Sequence, residues 1–239
     1  MLESVQLSDI LFIDIETVPL HPTFEALNAV EQDLFAQKTA YQRQAGQHRP
    51  EDFYERAGIW AEFGKIICIS VGFFTVIDRQ EQFRVKSFYG EEQVLLSAFS
   101  DLLNTHFSEK RHLLCAHNGK EFDFPYIARR MVILGLPLPE KLNLFGKKPW
   151  EVAHLDTMEL WKFGDYKHYT SLKLLTHILG IPSPKEDIDG SQVAAVYYRD
   201  QDLKRIVAYC ERDVVAIAQI VLKYKHKPLL KDEQISVVI

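Results

Sequence analysis

Two apolar runs constrain this chain more than any other feature. Ile10–Ile15 reads ILFIDI, broken only by Asp14, and Lys65–Val76 reads KIICISVGFFTV. Apolar, β-branched segments of this kind are buried strands, and a sheet built on them needs helices to cover it. A turn at Asp78-Arg79-Gln80 leads to the alternating run Gln82–Tyr89, which should pair with the second strand as a hairpin. Gly90 opens a helix over Glu91–Leu103, with apolar residues at 94, 95, 98, 99, 102 and 103, the stripe that a 3.6-residue period requires. A short strand at His112–His117 precedes a helix from about Phe124 to Leu134. After a Pro-, Gly- and Lys-rich loop, Gly135 to Pro149, another short strand is expected at Val152–Asp156. The remainder reads as mostly helical, over Ser171–Leu179, Gly190–Arg199 and Asp202–His226.

Between the first two strands, His21–Glu62 has a different texture, rich in Glu, Gln, Ala and Tyr. Its apolar residues Phe24, Leu27, Leu34, Phe35 and Tyr41 recur at helical intervals, and a turn is expected near His48-Arg49-Pro50. The segment reads as a helical insertion that covers a sheet edge, with docking of a protein partner as the alternative. The fold class is α/β: a mixed sheet flanked by helices, in a single domain over residues 1–239 with the insertion at 21–62.

The net charge of −5 gives no bulk electrostatic grip on nucleic acid, so any phosphate binding has to come from a local basic patch or from bound metal ions. Cys68, Cys115 and Cys210 are scattered, without C-x-x-C spacing, and read as core thiols of a protein in the reducing cytoplasm. The first residues lack the basic region of a signal peptide, and no apolar run reaches the length of about 18 residues needed to span a bilayer.

Three segments far apart in sequence place carboxylates where a core element would normally have none. Asp14-x-Glu16 lies at the end of the first strand, and residues two apart on a strand share a face. Buried there, the pair needs cations or metal. In Asn118-Gly119-Lys120-Glu121-Phe122-Asp123, Asp123 stands at the start of a helix, where it can cap the N-terminus or serve a metal. Tyr209-x-x-x-Asp213 puts two functional groups on one face of a long helix, one turn apart. Each motif alone is weak. Together they offer four carboxylates, about the charge that balances two divalent ions set about 4 Å apart for phosphodiester hydrolysis.

The order D-x-E, N-x-x-x-F-D, Y-x-x-x-D resembles the exonuclease motifs of the DEDD superfamily, whose fold is ribonuclease-H-like. The stretches FIDIETVP (Phe12–Pro19), AHNGKEFDFPYI (Ala116–Ile127), HLDTMELW (His154–Trp161), SLKLLTHILGI (Ser171–Ile181) and YCERDV (Tyr209–Val214) are similar to stand-alone bacterial exonucleases related to the proofreading domain of B-family DNA polymerases. Tyr209, four residues before Asp213, with Ala208 where the other branch has histidine, marks the tyrosine branch.

The resemblance implies a 3′→5′ exonuclease that uses two Mg²⁺ or Mn²⁺ ions on single-stranded or frayed DNA and releases nucleoside 5′-monophosphates. It implies that Asp14 bridges both ions, that Glu16 and Asp213 complete the first site, and that Asp123 holds the second. Tyr209 would orient the attacking water. Asn118 and Phe122 would lie beside the terminal nucleotide, with Phe122 available for stacking; Thr17 would touch it too or be a plain strand-end residue, and Asp156 would be structural or support the ligand residues from behind. RNA as substrate, a non-catalytic nucleic-acid-binding module of the same fold, and a polymerase or repair partner in trans remain open at this point. The nine histidines form no zinc pattern, and His117 and His154 read as strand-end residues. Lys141, Lys147 and Lys148 read as a solvated loop or a phosphate contact, and Lys162–Lys173 as a possible single-strand track.

Overall fold

The first apolar run extends further than its composition indicates. In the computed structural model, which describes residues 2–43, 48–77, 80–165, 169–182 and 188–238, β1 spans Ile10–Pro19. It pairs antiparallel with β2 (Gly64–Ile77), and β2 pairs antiparallel with β3 (Gln80–Tyr89). Asp78 and Arg79, where the hairpin turn was expected, lie outside the described residues. β4 (Leu113–Ala116) runs parallel to β1, and β5 (Leu155–Asp156) parallel to β4. β6 (Ile235–Val238) lies parallel to β3 and gives the order β5-β4-β1-β2-β3-β6.

Eight helices flank the sheet among the described residues: α1 (Ala29–Thr39), α2 (Pro50–Phe53), α3 (Glu92–His106), α4 (Asp123–Ile133), α5 (Thr157–Lys162), α6 (Leu172–Ile178), α7 (Val193–Ala195) and α8 (Leu203–Tyr224). A π-helical turn, Val196–Asp200, continues α7. No helix among the described residues is long and apolar enough to cross a membrane.

Alternation along β1 divides the core. Leu11, Ile13 and Ile15 face Phe99 of α3 and Ile127 of α4 in one cluster. Ile10 and Phe12 face the other way, against Val214, Ile217, Ala218 and Val221 of α8. Those four recur at helical spacing on one face, and each fully buried Val or Ile contributes roughly 1.5–3 kcal/mol. Gly72, opposite Phe12, lets α8 come close. A Cβ there would stand 2.7 Å from Val214 Cγ1 and 2.3 Å from the Phe83 ring.

The segment between β1 and β2 has its own aromatic centre. Phe35 meets Tyr54 and Phe63 edge-on, both at 5.2 Å between ring centroids. Asn28 and Glu31 form a capping box at the start of α1, and Pro50 occupies the first turn of α2. The 3₁₀ turn Tyr54–Ile59 packs on β1 and β2. The segment therefore closes the ends of the two central strands and does not cover a sheet edge; the edges are β5 and β6. A buried ion pair ties this region to the helices. Arg130 donates to Glu92 at 2.8 and 2.6 Å and to the Ala61 carbonyl at 2.8 Å. Glu92 also accepts from the Ile66 amide at 2.7 Å.

Candidate active site

Asp14 and Glu16 continue the row begun by Ile10 and Phe12, so the face of β1 that α8 covers turns from apolar to acidic. The pair sits inside the strand and not at its end, because Thr17–Pro19 go on pairing with Gly64–Ile66 after a register shift between Glu16 and Thr17. Their partners on β2 are Ser70 and Cys68, small side chains that leave room beneath the helix. Glu16 is 7% exposed, and Asp14 is half-buried. From α8, one turn apart, come Tyr209 and Asp213, both half-buried.

The fourth carboxylate arrives on a riveted loop. Asp156, buried at the end of β5, accepts from the amides of Asn118 and Lys120 at 3.0 and 3.1 Å. The same carboxylate caps α5 through the amides of Met158 and Glu159 at 3.0 and 3.2 Å. Its role is to hold this loop in place. Asn118 takes a left-handed conformation, φ 63°, which Asn tolerates better than most residues. Its carbonyl accepts from Phe122, and the chain then enters α4. Asp123 is the first helical residue and makes no capping bond, so the capping alternative fails: Phe122 holds the N-cap position. The Asp123 carboxylate accepts from its own amide and from the Ile15 amide of β1, and the residue is 3% exposed.

The electrostatics show that these groups share one site. Burial first, then the charges of Asp213, Glu16 and Asp123, hold the Asp14 carboxyl well above the ordinary carboxylate range. Burial, Asp213 and Asp123 do the same to Glu16. Asp123 is pushed up to about 7, chiefly by burial, with Asp156 adding to it. The Tyr209 phenol is raised far above its usual value by burial and by Asp213, Glu16 and Asp14, and it hydrogen-bonds to Asp213. Among the described residues, Asp14, Glu16 and Asp123 have no ion-pair partner. Buried acids that repel one another without a cation are costly to the fold, and divalent ions remove that cost. Oxygen donors gathered in this way suit hard cations of the Mg²⁺ and Mn²⁺ kind.

The residues expected against a nucleotide are placed unevenly. Asn118 Oδ1 is buried without a hydrogen-bond partner, an acceptor left open. Phe122 is half-buried, its ring 5.3 Å from that of Tyr126. Thr17 donates its hydroxyl to the Gly58 carbonyl at 2.8 Å, so the segment before β2 braces it. Tyr209 and Asp213 also line a groove of about 480 Å³ that runs along α8 toward Ile235 and Val237. Asp14, Glu16 and Asp123 are not part of that groove.

Other candidates are structural. His117 bridges Thr157 Oγ1 at 2.9 Å and the Thr170 carbonyl at 2.8 Å. His154 accepts from the Leu114 amide and meets the Lys141 carbonyl, and burial pulls it down to about 4. Lys141 donates to the carbonyls of Glu109 and His112, whereas Lys148 lies over the Trp150 ring. Of the Lys162–Lys173 stretch, residues 166–168 lie outside the described residues. Cys210 is the residue that sequence reasoning missed: its thiol reaches Asp14, 3.3 Å from both the carbonyl oxygen and Oδ2.

A family profile described as the RNase_H superfamily matches residues 52–224. That span contains Asp123, Tyr209 and Asp213 and begins after Asp14 and Glu16. Among solved structures, the chain is similar to the family B DNA polymerase from the hyperthermophilic archaeon Pyrobaculum calidifontis, with a TM-score of 0.54 and 17% sequence identity. The likeness covers 89% of this chain and 24% of the polymerase, so the chain spans about a quarter of that protein's length. At this identity the likeness is one of fold.

Proposed function

The chain belongs to the RNase H superfamily, and on that premise we propose that it is a metal-dependent 3′→5′ exonuclease. It hydrolyses the terminal phosphodiester of single-stranded or frayed DNA and releases nucleoside 5′-monophosphates. The observation that carries this reading is the gathering of Asp14 and Glu16 on one strand face, where the charges of Asp123 and Asp213 add to burial in holding both carboxyls well above the ordinary range.

In this reading Asp14, Glu16, Asp123 and Asp213 would hold the divalent ions, Asp14 with Glu16 and Asp213 on one side and Asp123 on the other. Held there, such ions would supply Lewis-acid chemistry for phosphodiester hydrolysis. Tyr209 keeps its proton, held by burial and by the neighbouring carboxylates, so it orients the attacking water and does not act as the base. Asp156 fixes the loop so that Asn118 and Phe122 meet the terminal nucleotide, the first through its open Oδ1 and the second by stacking. Thr17 completes that wall, steadied by Gly58. With a net charge of −5, attraction for phosphate depends on the ions more than on the surface. The similarity of the motif stretches to exonucleases related to polymerase proofreading domains supports DNA over RNA.

The test uses 5′-labelled single strands of matched sequence, one DNA and one RNA, with Mn²⁺ or Mg²⁺. The expected result is a DNA ladder shortening from the 3′ end, absent with Asp14→Ala. A ladder on RNA alone would make the enzyme an exoribonuclease. Tight strand binding without any ladder would make the chain a binding module of the same fold.

A further inference from the structure

Cys210 stands within the acidic site and not merely beside it. Its Sγ lies 3.3 Å from Asp14 Oδ2, and ligand atoms of Asp14, Glu16 and Cys210 all lie within 4.8 Å of one another. The placement follows from α8: Cys210 is one residue after Tyr209 and three before Asp213, on the inward face above Cys68 of β2. Two ligands of one ion, a sulfur at about 2.3 Å and an oxygen at about 2.1 Å, stand about 3.6 Å apart in tetrahedral geometry, and closer when the angle tightens. The observed 3.3 Å fits such an edge.

Glu16 supplies an independent sign of a missing partner. It is 7% exposed and aimed at this group, yet no hydrogen bond or ion pair among the described residues satisfies its carboxylate. A buried carboxylate in that position calls for a cation. Carboxylate oxygens alone favour hard ions, whereas a sulfur among them shifts preference toward thiophilic ones.

We propose that Cys210 is a ligand position of the Asp14–Glu16 ion site, which accepts a thiophilic divalent ion of the Zn²⁺ and Cd²⁺ class through one sulfur and two carboxylates. This rests on the reading of Asp14 and Glu16 as ion ligands. Coordination breaks the S–H bond now directed at Asp14 and forms a sulfur–metal bond. The proton leaves to solvent, and no oxidant or reductant is required. Cys68 lies beside Cys210 and Glu16 and is also engaged with Ser70 Oγ at 3.6 Å, but its sulfur is not one of the ligand atoms gathered within 4.8 Å. Cys115 belongs to the apolar cluster around Phe12.

The experiment titrates the EDTA-treated full chain with Cd²⁺ while recording the ultraviolet sulfur-to-cadmium charge-transfer band, with calorimetric Mn²⁺ titration in parallel. Wild type and Cys68→Ser should each develop the band on binding Cd²⁺. Cys210→Ser should lose the band and bind Cd²⁺ at least about tenfold more weakly, while its Mn²⁺ affinity stays within about threefold, because oxygen ligands govern the harder ion. Retained Mn²⁺ binding also shows that the variant is folded. Cd²⁺ binding without a band, a band that survives Cys210→Ser, or equal loss in Cys68→Ser would overturn the proposal and leave the exonuclease reading standing. Failure of wild type to bind either ion would overturn both.

Discussion

Replacing Asp123 with Asn should stabilise the metal-free protein at alkaline pH. Asp123 is 3% exposed, and its carboxyl is pushed from an ordinary value of 3.8 to about 7. The folded state thus holds a proton between these values where the unfolded chain has lost it, so stability falls as pH rises from 3.8 through about 7. Above that window the ionised carboxylate costs at most about 4 kcal/mol, at 1.36 kcal/mol per tenfold. Asn is nearly isosteric and can still accept from the Ile15 amide, so the variant keeps the geometry and loses the charge. If relaxation absorbs half, about 2 kcal/mol remains, or roughly 4–8 °C in Tm for a chain of this size.

Thermal unfolding in EDTA at pH 8 and at pH 5 is the assay. Asp123→Asn should melt above wild type at pH 8, and the gap should shrink to about 40% of that value at pH 5, where the folded carboxyl is protonated but the unfolded one has ionised, closing only below the ordinary value of 3.8. With Mn²⁺ at about 100 times its Kd, wild type gains about 2.7 kcal/mol and the order should reverse. A variant that melts below wild type in EDTA at pH 8, or a gap independent of pH, would refute the argument that charge crowding dominates this site.

Tyr209→Phe should lower kcat by about 10- to 100-fold with little change in KM. The alkaline limb of the rate profile should not move, since the phenol lies far above its usual range. Gly72→Ala would bring a methyl group to 2.7 Å from Val214 Cγ1 and lift α8. The variant should lose about 1–3 kcal/mol to overpacking, and its nuclease rate should drop although no ligand has changed. Arg130→Met strands the buried Glu92 carboxylate and should cost about 3–5 kcal/mol; adding Glu92→Gln should recover part of that loss in denaturant titrations.

How far the sequence discloses this molecule depends on whether a feature is local. The central strands and the long helix α8 are legible because apolar runs and helical stripes carry their own period. β1 outruns its apolar run because Thr17–Pro19 pair through Gly64–Ile66, which no window around Pro19 reveals. β6 is short, and its partner β3 lies about 150 residues away, so the β-branched Ile235–Val238 passes for a tail.

The residues between β1 and β2 do form helices, but their position over the strand ends depends on tertiary packing of Tyr54–Ile59. At the site, the carboxylates stand out because acids interrupt apolar elements. The structural part read for Asp156 fits the four backbone amides it accepts from. Asp123 could be read as a cap because position alone does not reveal that its carboxylate turns toward Ile15. Cys210 reads as a core thiol because its apolar neighbours are local, whereas Asp14 stands 196 residues away.

The central claim, that these carboxylates catalyse cleavage from a 3′ end, is tested most directly by the identity of the first product. A 3′-end-labelled DNA strand would be given to EDTA-treated protein restored with Mn²⁺, with Asp213→Ala alongside. The account predicts that labelled nucleoside 5′-monophosphate appears first and is absent with the variant. Internal fragments, nucleoside 3′-phosphates, or release that persists in Asp213→Ala would contradict it.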